Sequence, residues 1–119
     1  MEQPMSDIKR LTEKIIKFRD ERNWKQFHNP KDLALSLTLE AGEFMEHFQW
    51  KSEKEIEEYI KHNKEALGDE LADVLYWVLL ICYDLKIDPV KAMENKLKKN
   101  AIKYPINKAK GKHTKYNKL

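Results

Sequence analysis

The sequence predicts an all-α fold, and three observations carry that prediction. Glycine is confined to Gly42, Gly68 and Gly111. No segment shows the β-branched alternation of a half-buried strand, whereas apolar residues recur three and four apart over long stretches. At 119 residues the chain is long enough for one domain with its own core. We place the helical domain over 1–105 and a basic C-terminal tail over 106–119.

The first helix is expected from about Asp7 to Asn23, with Ser6 as N-cap and Ile8, Leu11, Ile15 and Phe18 as its apolar stripe. Trp24 to His28 forms a connection. Asn29 as cap, Pro30 at the first helical position and Asp32 in the first turn start a second helix, which runs through Leu33, Leu37, Phe44 and Phe48 to about Trp50. Ser52 and Glu55 have the spacing of a capping box for the short acidic helix EKEIEEYIKH. Asn63 is placed to cap a long helix reaching about Leu85, apolar on nearly every face after Asp73. Such a helix is either central to a bundle or shared with a second subunit. Asp88-Pro89 opens the last helix, which must stop before Pro105, and INKAKGKHTKYNKL is read as extended.

Composition excludes several classes of protein. The single Cys82 forbids an intramolecular disulfide and fits a reducing compartment. The segment MEQPMSDIKRL has no apolar signal core, and the apolar run Val74 to Tyr83 falls short of the ~20 residues that span a bilayer. A cytoplasmic protein without membrane contact is the expectation. Charge is unevenly spread: Leu39 to Asp73 holds eleven acids against four lysines, and Lys91 to Leu119 holds ten lysines against Glu94 alone. On charge alone the basic end is read as a solvated terminus rather than a nucleic-acid arm.

Two acidic pairs stand out. Glu40/Glu43 and Glu70/Asp73 are each spaced i, i+3, so each pair lies on one helical face. Their neighbours include Leu37, Leu39, Phe44, Leu71, Val74 and Leu75, and unpaired charge buried there costs several kcal/mol per ion. No lysine or arginine occurs from Leu33 to Trp50 or from Gly68 to Tyr83, so a cation must come from another helix or from metal. An oxygen-only donor set favours Mg²⁺, with Mn²⁺ as the alternative. A di-iron carboxylate bundle needs Glu-x-x-His on two helices. His47 stands four residues after Glu43, and no histidine follows Glu70 at that spacing.

Trp24, Trp50 and Trp77 fall at two helix ends and one turn beyond Asp73, where they either fill core or stack on a flat base. Phe27 and His28 lie beside Trp24 in the connection. In KLKKNAIKYP, Lys96, Asn100 and Lys103 recur at helical spacing, suited to phosphate or simply to solvent. No Walker-A loop or Rossmann fingerprint is present.

E-x-x-E followed about thirty residues later by E-x-x-D on an all-α chain resembles the MazG-like nucleoside triphosphate pyrophosphohydrolases. The segments FRDERNWKQFHNPKDLALSLTLEAGEFMEHFQWKS, DELADVLYW, KLKKNAIKYP and KGKHTKY are similar to the dCTP pyrophosphatase branch. The resemblance implies a four-helix bundle whose central apolar helix serves in a homodimer or homotetramer. It implies hydrolysis of a nucleoside triphosphate to monophosphate and pyrophosphate, with Glu40, Glu43, Glu70 and Asp73 as Mg²⁺ ligands. Trp24, Phe27, His28, Trp50 and Trp77 would line the base site, and Lys96, Asn100, Lys103 and Tyr104 would meet phosphate or sugar. Glu43, or Glu40 in its place, would accept the proton from water. Where the dCTP-specific relatives carry a histidine nine positions before the first tryptophan, this chain has Ile15; where they carry a tyrosine four after the aspartate, it has Trp77. The rival readings from the residues are a non-catalytic nucleotide or nucleic-acid binder and a purely structural helical assembly.

Overall fold

A computed structural model of the chain describes residues 5–119. The first four residues, part of the segment in which no signal core is expected, lie outside them. The described residues contain helices and turns but no strand, in keeping with the all-α prediction. None of their helices is long and apolar enough to cross a membrane.

Helix α1 spans Asp7–Glu21, and the Ser6 hydroxyl accepts from the Lys9 amide. It closes in a Schellman motif. The Trp24 amide donates to the Arg19 carbonyl at 3.2 Å and the Asn23 amide to Asp20 at 3.0 Å, while Asn23 takes the left-handed φ of 54°. Asparagine tolerates that region better than most side chains, so the sequence stops the helix two residues earlier than its periodicity suggests. A 3-10 turn, Lys25–Phe27, leads to α2, Pro30–Glu46, where Asn29 accepts from the Asp32 amide.

Helix α2 ends before Trp50. The amides of His47 and Phe48 reach back three residues, to Phe44 and Met45, and Trp50 itself has φ 68°. The tightened turn and the left-handed residue together terminate the α-helical ladder. Helix α3, Glu53–His62, has both halves of the capping box between Ser52 and Glu55. Helix α4, Lys64–Asp84, begins at Asn63, whose side chain does not cap it but donates back to the Tyr59 carbonyl. Asp88 caps α5, Pro89–Lys103, accepting from Val90 and Lys91. The segment read as extended instead contains a one-turn helix α6, Ile106–Ala109, and a 3-10 turn, Tyr116–Lys118. Pro105, with φ −61°, already has the backbone angle that opens a helix.

The chain divides into two compact units, one running to Lys86 and the other Ile87–Leu119. The expected 105/106 boundary lies within the second. In the first unit α1, α2 and α3 each pack on α4, and α2 does so most extensively. Ile16, Leu33 and Leu80 form the buried centre, with Ile15, Tyr76, Trp77 and Ile81 packed against it. Helix α4 therefore is the central helix, yet Leu71 and Leu75 on it, like Leu35 and Leu39 on α2, are exposed.

The α1 stripe is displaced from its expected place. Ile16 and Arg19 are the α1 residues that go into the core, while Leu11, Ile15 and Phe18 face a cavity. Arg19, 1 % exposed, donates from Nη1 to Oδ2 of Asp84 at 2.8 Å. That ion pair ties the end of α1 to the end of α4, and its nitrogen also lies 3.5 Å from Nδ1 of His28.

Candidate active site

Packing α2 along α4 brings the two acidic pairs together. Carboxylate oxygens of Glu40, Glu43 and Glu70 all lie within 4.8 Å of one another. Asp73, one turn beyond Glu70, is outside that group but near enough to act electrostatically on both Glu40 and Glu70. The Glu40 carboxyl is pushed up to about 7, first by burial, then by the adjoining Glu43, with Asp73 and Glu70 adding. Glu70 is also raised, by burial first and by Glu43 next, and His47 pulls it the other way.

The donor chemistry fits a hard divalent cation. Oε2 of Glu40 and Oε2 of Glu70 are buried and accept no hydrogen bond. No lysine or arginine pairs with Glu40, Glu43 or Glu70 among the described residues; the one ion-pair neighbour is His47, whose Nε2 stands 3.8 Å from Oε1 of Glu70. Orphaned acceptors crowded against like charges are in the state that Mg²⁺ or Mn²⁺ relieves.

The cluster borders two hollows of different character. One, about 470 Å³, is lined by Leu11, Lys14, Ile15, Phe18, Trp24, Tyr76 and Trp77, with Glu40 and Asp73 at its acidic side. Its walls are aromatic and interlocked: Phe18 meets Trp24 and Tyr76 edge-on with centroids 5.8 and 6.3 Å apart, and Tyr76 meets Trp77 at 5.0 Å. The Schellman motif fixes where Trp24 enters this wall. The other hollow, about 380 Å³, is polar and lined by Glu43, Glu46, His47, Lys51, Tyr59 and Glu70.

The remaining sequence-predicted residues are placed as follows. Trp24 and Trp77 line the aromatic hollow. His28 packs edge-on against Trp77 at 5.7 Å, and burial followed by the Arg19 charge lowers its pKa, which favours the neutral ring. Phe27 is exposed on the 3-10 turn, and Trp50 is 92 % exposed. Neither lines the hollow in its own chain. Lys96, Asn100, Lys103 and Tyr104 belong to the second unit, where Lys103 Nζ lies 4.8 Å over the Tyr116 ring and Tyr104 meets that ring edge-on.

Sequence reasoning gave no place to Lys14, Tyr76 and Tyr59, and weighed His47 only as a di-iron ligand. Lys14 was hidden in an ordinary charged helix face, and Tyr76 in an apolar run. His47 had a visible signal, a histidine one turn after Glu43, but its partner Tyr59 is on a different helix.

Comparison with known proteins gives one consistent grouping. Residues 35–119 match the family model described as MazG-like. The chain is 38 % identical over 120 aligned positions to dCTP pyrophosphatase 1 of Rattus norvegicus, and 35 % identical to that of Homo sapiens. In each case 99 % of this chain aligns with 69 % of the relative. A solved structure of a pyrophosphatase from Archaeoglobus fulgidus superposes with a TM-score of 0.82 at 36 % identity, covering 88 % of this chain and 98 % of that one.

Proposed function

Because the chain belongs to the MazG-like family, we propose that it is a Mg²⁺-dependent nucleoside triphosphate pyrophosphohydrolase acting on a pyrimidine deoxynucleotide such as dCTP or a modified dCTP. One observation carries this reading: a carboxylate cluster with orphaned oxygens sits at the acidic side of an aromatic hollow of about 470 Å³. That volume lies in the range of roughly 300–1,000 Å³ usual for small-molecule sites.

Glu40, Glu43, Glu70 and Asp73 would hold the cation. When bound, Mg²⁺ supplies charge neutralisation to the triphosphate and activates water for attack. The chain's own residues do the rest. The base stacks among Trp24, Tyr76 and Trp77, which orients the α-phosphorus toward the cluster. Water attacks that phosphorus as the bond to the bridging oxygen breaks, and the oxygen leaves with pyrophosphate. Glu43, flanked by Glu40 and Glu70, takes the proton from water. The apolar wall excludes bulk water and so strengthens the electrostatics of the site. Lys96, Asn100, Lys103 and Tyr104 bind phosphate or sugar.

The active protein is a homodimer or homotetramer. The exposed leucines of α2 and α4 support that reading, since large apolar faces usually mark interfaces. Trp50, unused by its own chain's hollow, completes the base site of a second copy. The single Cys82 is in keeping with a cytoplasmic setting. The test is pyrophosphate release at millimolar Mg²⁺ across the standard nucleotides and 5-modified pyrimidine nucleotides. Release from a pyrimidine deoxynucleotide supports the proposal, and no release from any of them overturns it.

A further inference from the structure

The polar hollow behind the carboxylate cluster has a built-in chain of contacts. Tyr59 on α3 directs its hydroxyl to Nδ1 of His47 at 2.5 Å. The Lys51 ammonium donates to the His47 carbonyl at 2.6 Å and lies 4.4 Å from the centre of the Tyr59 ring. Three segments, the end of α2, the following turn and α3, thus meet around His47. His47 is half-buried, and its free edge, Nε2, faces Oε1 of Glu70 at 3.8 Å. The other oxygen of that carboxylate, Oε2, is buried and accepts no hydrogen bond.

This division of one carboxylate is informative. A ligand carboxylate is best oriented when one oxygen is held by a neighbour and the other is left for the ion. In the tautomer in which the Tyr59 hydroxyl donates to Nδ1, the ring carries its proton on Nε2, the nitrogen aimed at Glu70. At 3.8 Å the contact is longer than a direct hydrogen bond, so a small movement of Glu70 toward His47 closes it. Tyr59 fixes the ring, and the ring limits which way the carboxylate turns.

We propose that His47, anchored by Tyr59, is a positioning residue that holds one oxygen of Glu70 so that the other faces the cation site. The proposal rests on Glu70 being a metal ligand, as in the function proposed above. It assigns α3 a purpose beyond packing: the helix carries the hydroxyl that orients the site from the polar hollow, which borders Glu43 and Glu70.

The test measures Mn²⁺ binding to metal-free protein, by the loss of the free-ion electron paramagnetic resonance signal, alongside pyrophosphate release. Tyr59→Phe removes only the hydroxyl. It and His47→Leu should each weaken Mn²⁺ binding by roughly 10-fold or more, the usual scale for such outer partners. The double variant should lose little beyond either single one, since both act through one contact. His47→Gln, which can present an amide N–H to Glu70, should recover part of the loss seen with leucine. A purely structural role would lower the melting temperature of the metal-free protein and leave Mn²⁺ affinity unchanged, and that result overturns the proposal. If Glu70→Gln abolishes Mn²⁺ binding while the His47 and Tyr59 variants bind like the parent, the positioning role falls and the metal site stands. If the parent itself binds no Mn²⁺, both fall.

Discussion

Arg19 and Asp84 form an ion pair of unequal burial: the guanidinium is 1 % exposed and the carboxylate 21 %, with 2.8 Å between Nη1 and Oδ2. The inequality predicts which partner is the more dangerous to remove. Asp84→Ala leaves the buried cation with only Asp20, whose Oδ1 is 3.8 Å from Nε, as counter-charge, so the loss should approach but not reach the about 3–5 kcal/mol of a fully unpaired buried charge. Arg19→Met fills most of the space with an apolar chain and leaves a carboxylate that can turn to water. Asp84→Ala should therefore lower stability to urea more than Arg19→Met does. The opposite order would show that the salt bridge matters less than the packing of the arginine stem.

Stability should depend on pH through Glu40. Its pKa in the folded protein is about 7 against an ordinary 4.5, so the folded state binds the extra proton between those values. The stabilisation is complete below 4.5 and is lost as pH rises through about 7. Without metal, the melting temperature should fall over that window, and Glu40→Gln should flatten the fall. Mg²⁺ favours the ionised carboxylate, so its stabilising effect should grow with pH and be larger at pH 8 than at pH 5.5. A Mg²⁺ effect independent of pH would count against a cation on Glu40.

Glu43 adjoins Glu40 and Glu70 in the cluster, and it is the residue assigned the proton. Glu43→Gln should reduce the turnover number by about 10²-fold or more, the usual range for a positioned base. Asp73→Asn should act more on the Mg²⁺ concentration needed for half-maximal rate, because Asp73 lies outside the tight group. Steady-state assays with Mg²⁺ titrated at saturating nucleotide separate the two effects.

Ile15 lines the aromatic hollow and offers no hydrogen bond. Ile15→His adds a polar contact worth about 1 kcal/mol, which translates to roughly fivefold to tenfold in kcat/KM. The gain should appear for cytosine nucleotides over thymine nucleotides. An unchanged ratio would place base discrimination elsewhere in the hollow, whose wall also offers Lys14, Tyr76 and the indole N–H groups of Trp24 and Trp77.

The exposed leucines give a last prediction. A charge at Leu39, which is 66 % exposed, costs little if the chain is monomeric. Leu39→Lys together with Leu75→Lys should shift the mass measured by light scattering from a dimer or tetramer toward a single chain. An unchanged assembly would remove those faces from the interface.

The sequence by itself determined the five long helices and four of their caps, because Ser6, Asn29, Ser52 and Asp88 act within three residues of where they stand, whereas Asn63 turns back to the Tyr59 carbonyl instead of capping α4. It also determined that Glu40 and Glu43, and Glu70 and Asp73, share helical faces, since that follows from helical periodicity alone. The side of α1 that enters the core was not legible: Ile15 and Ile16 are adjacent isoleucines, and only packing against α4 sends one to the cavity and the other to the centre. Arg19 reads as an ordinary surface charge until Asp84, 65 positions away, closes on it. The same holds for His47, whose anchor and target lie on α3 and α4. Local hydrogen bonding and periodicity act over a few residues and can be read along the chain. Convergence of the carboxylates, burial of the arginine and the two hollows depend on which helix faces meet, and only the tertiary structure decided that.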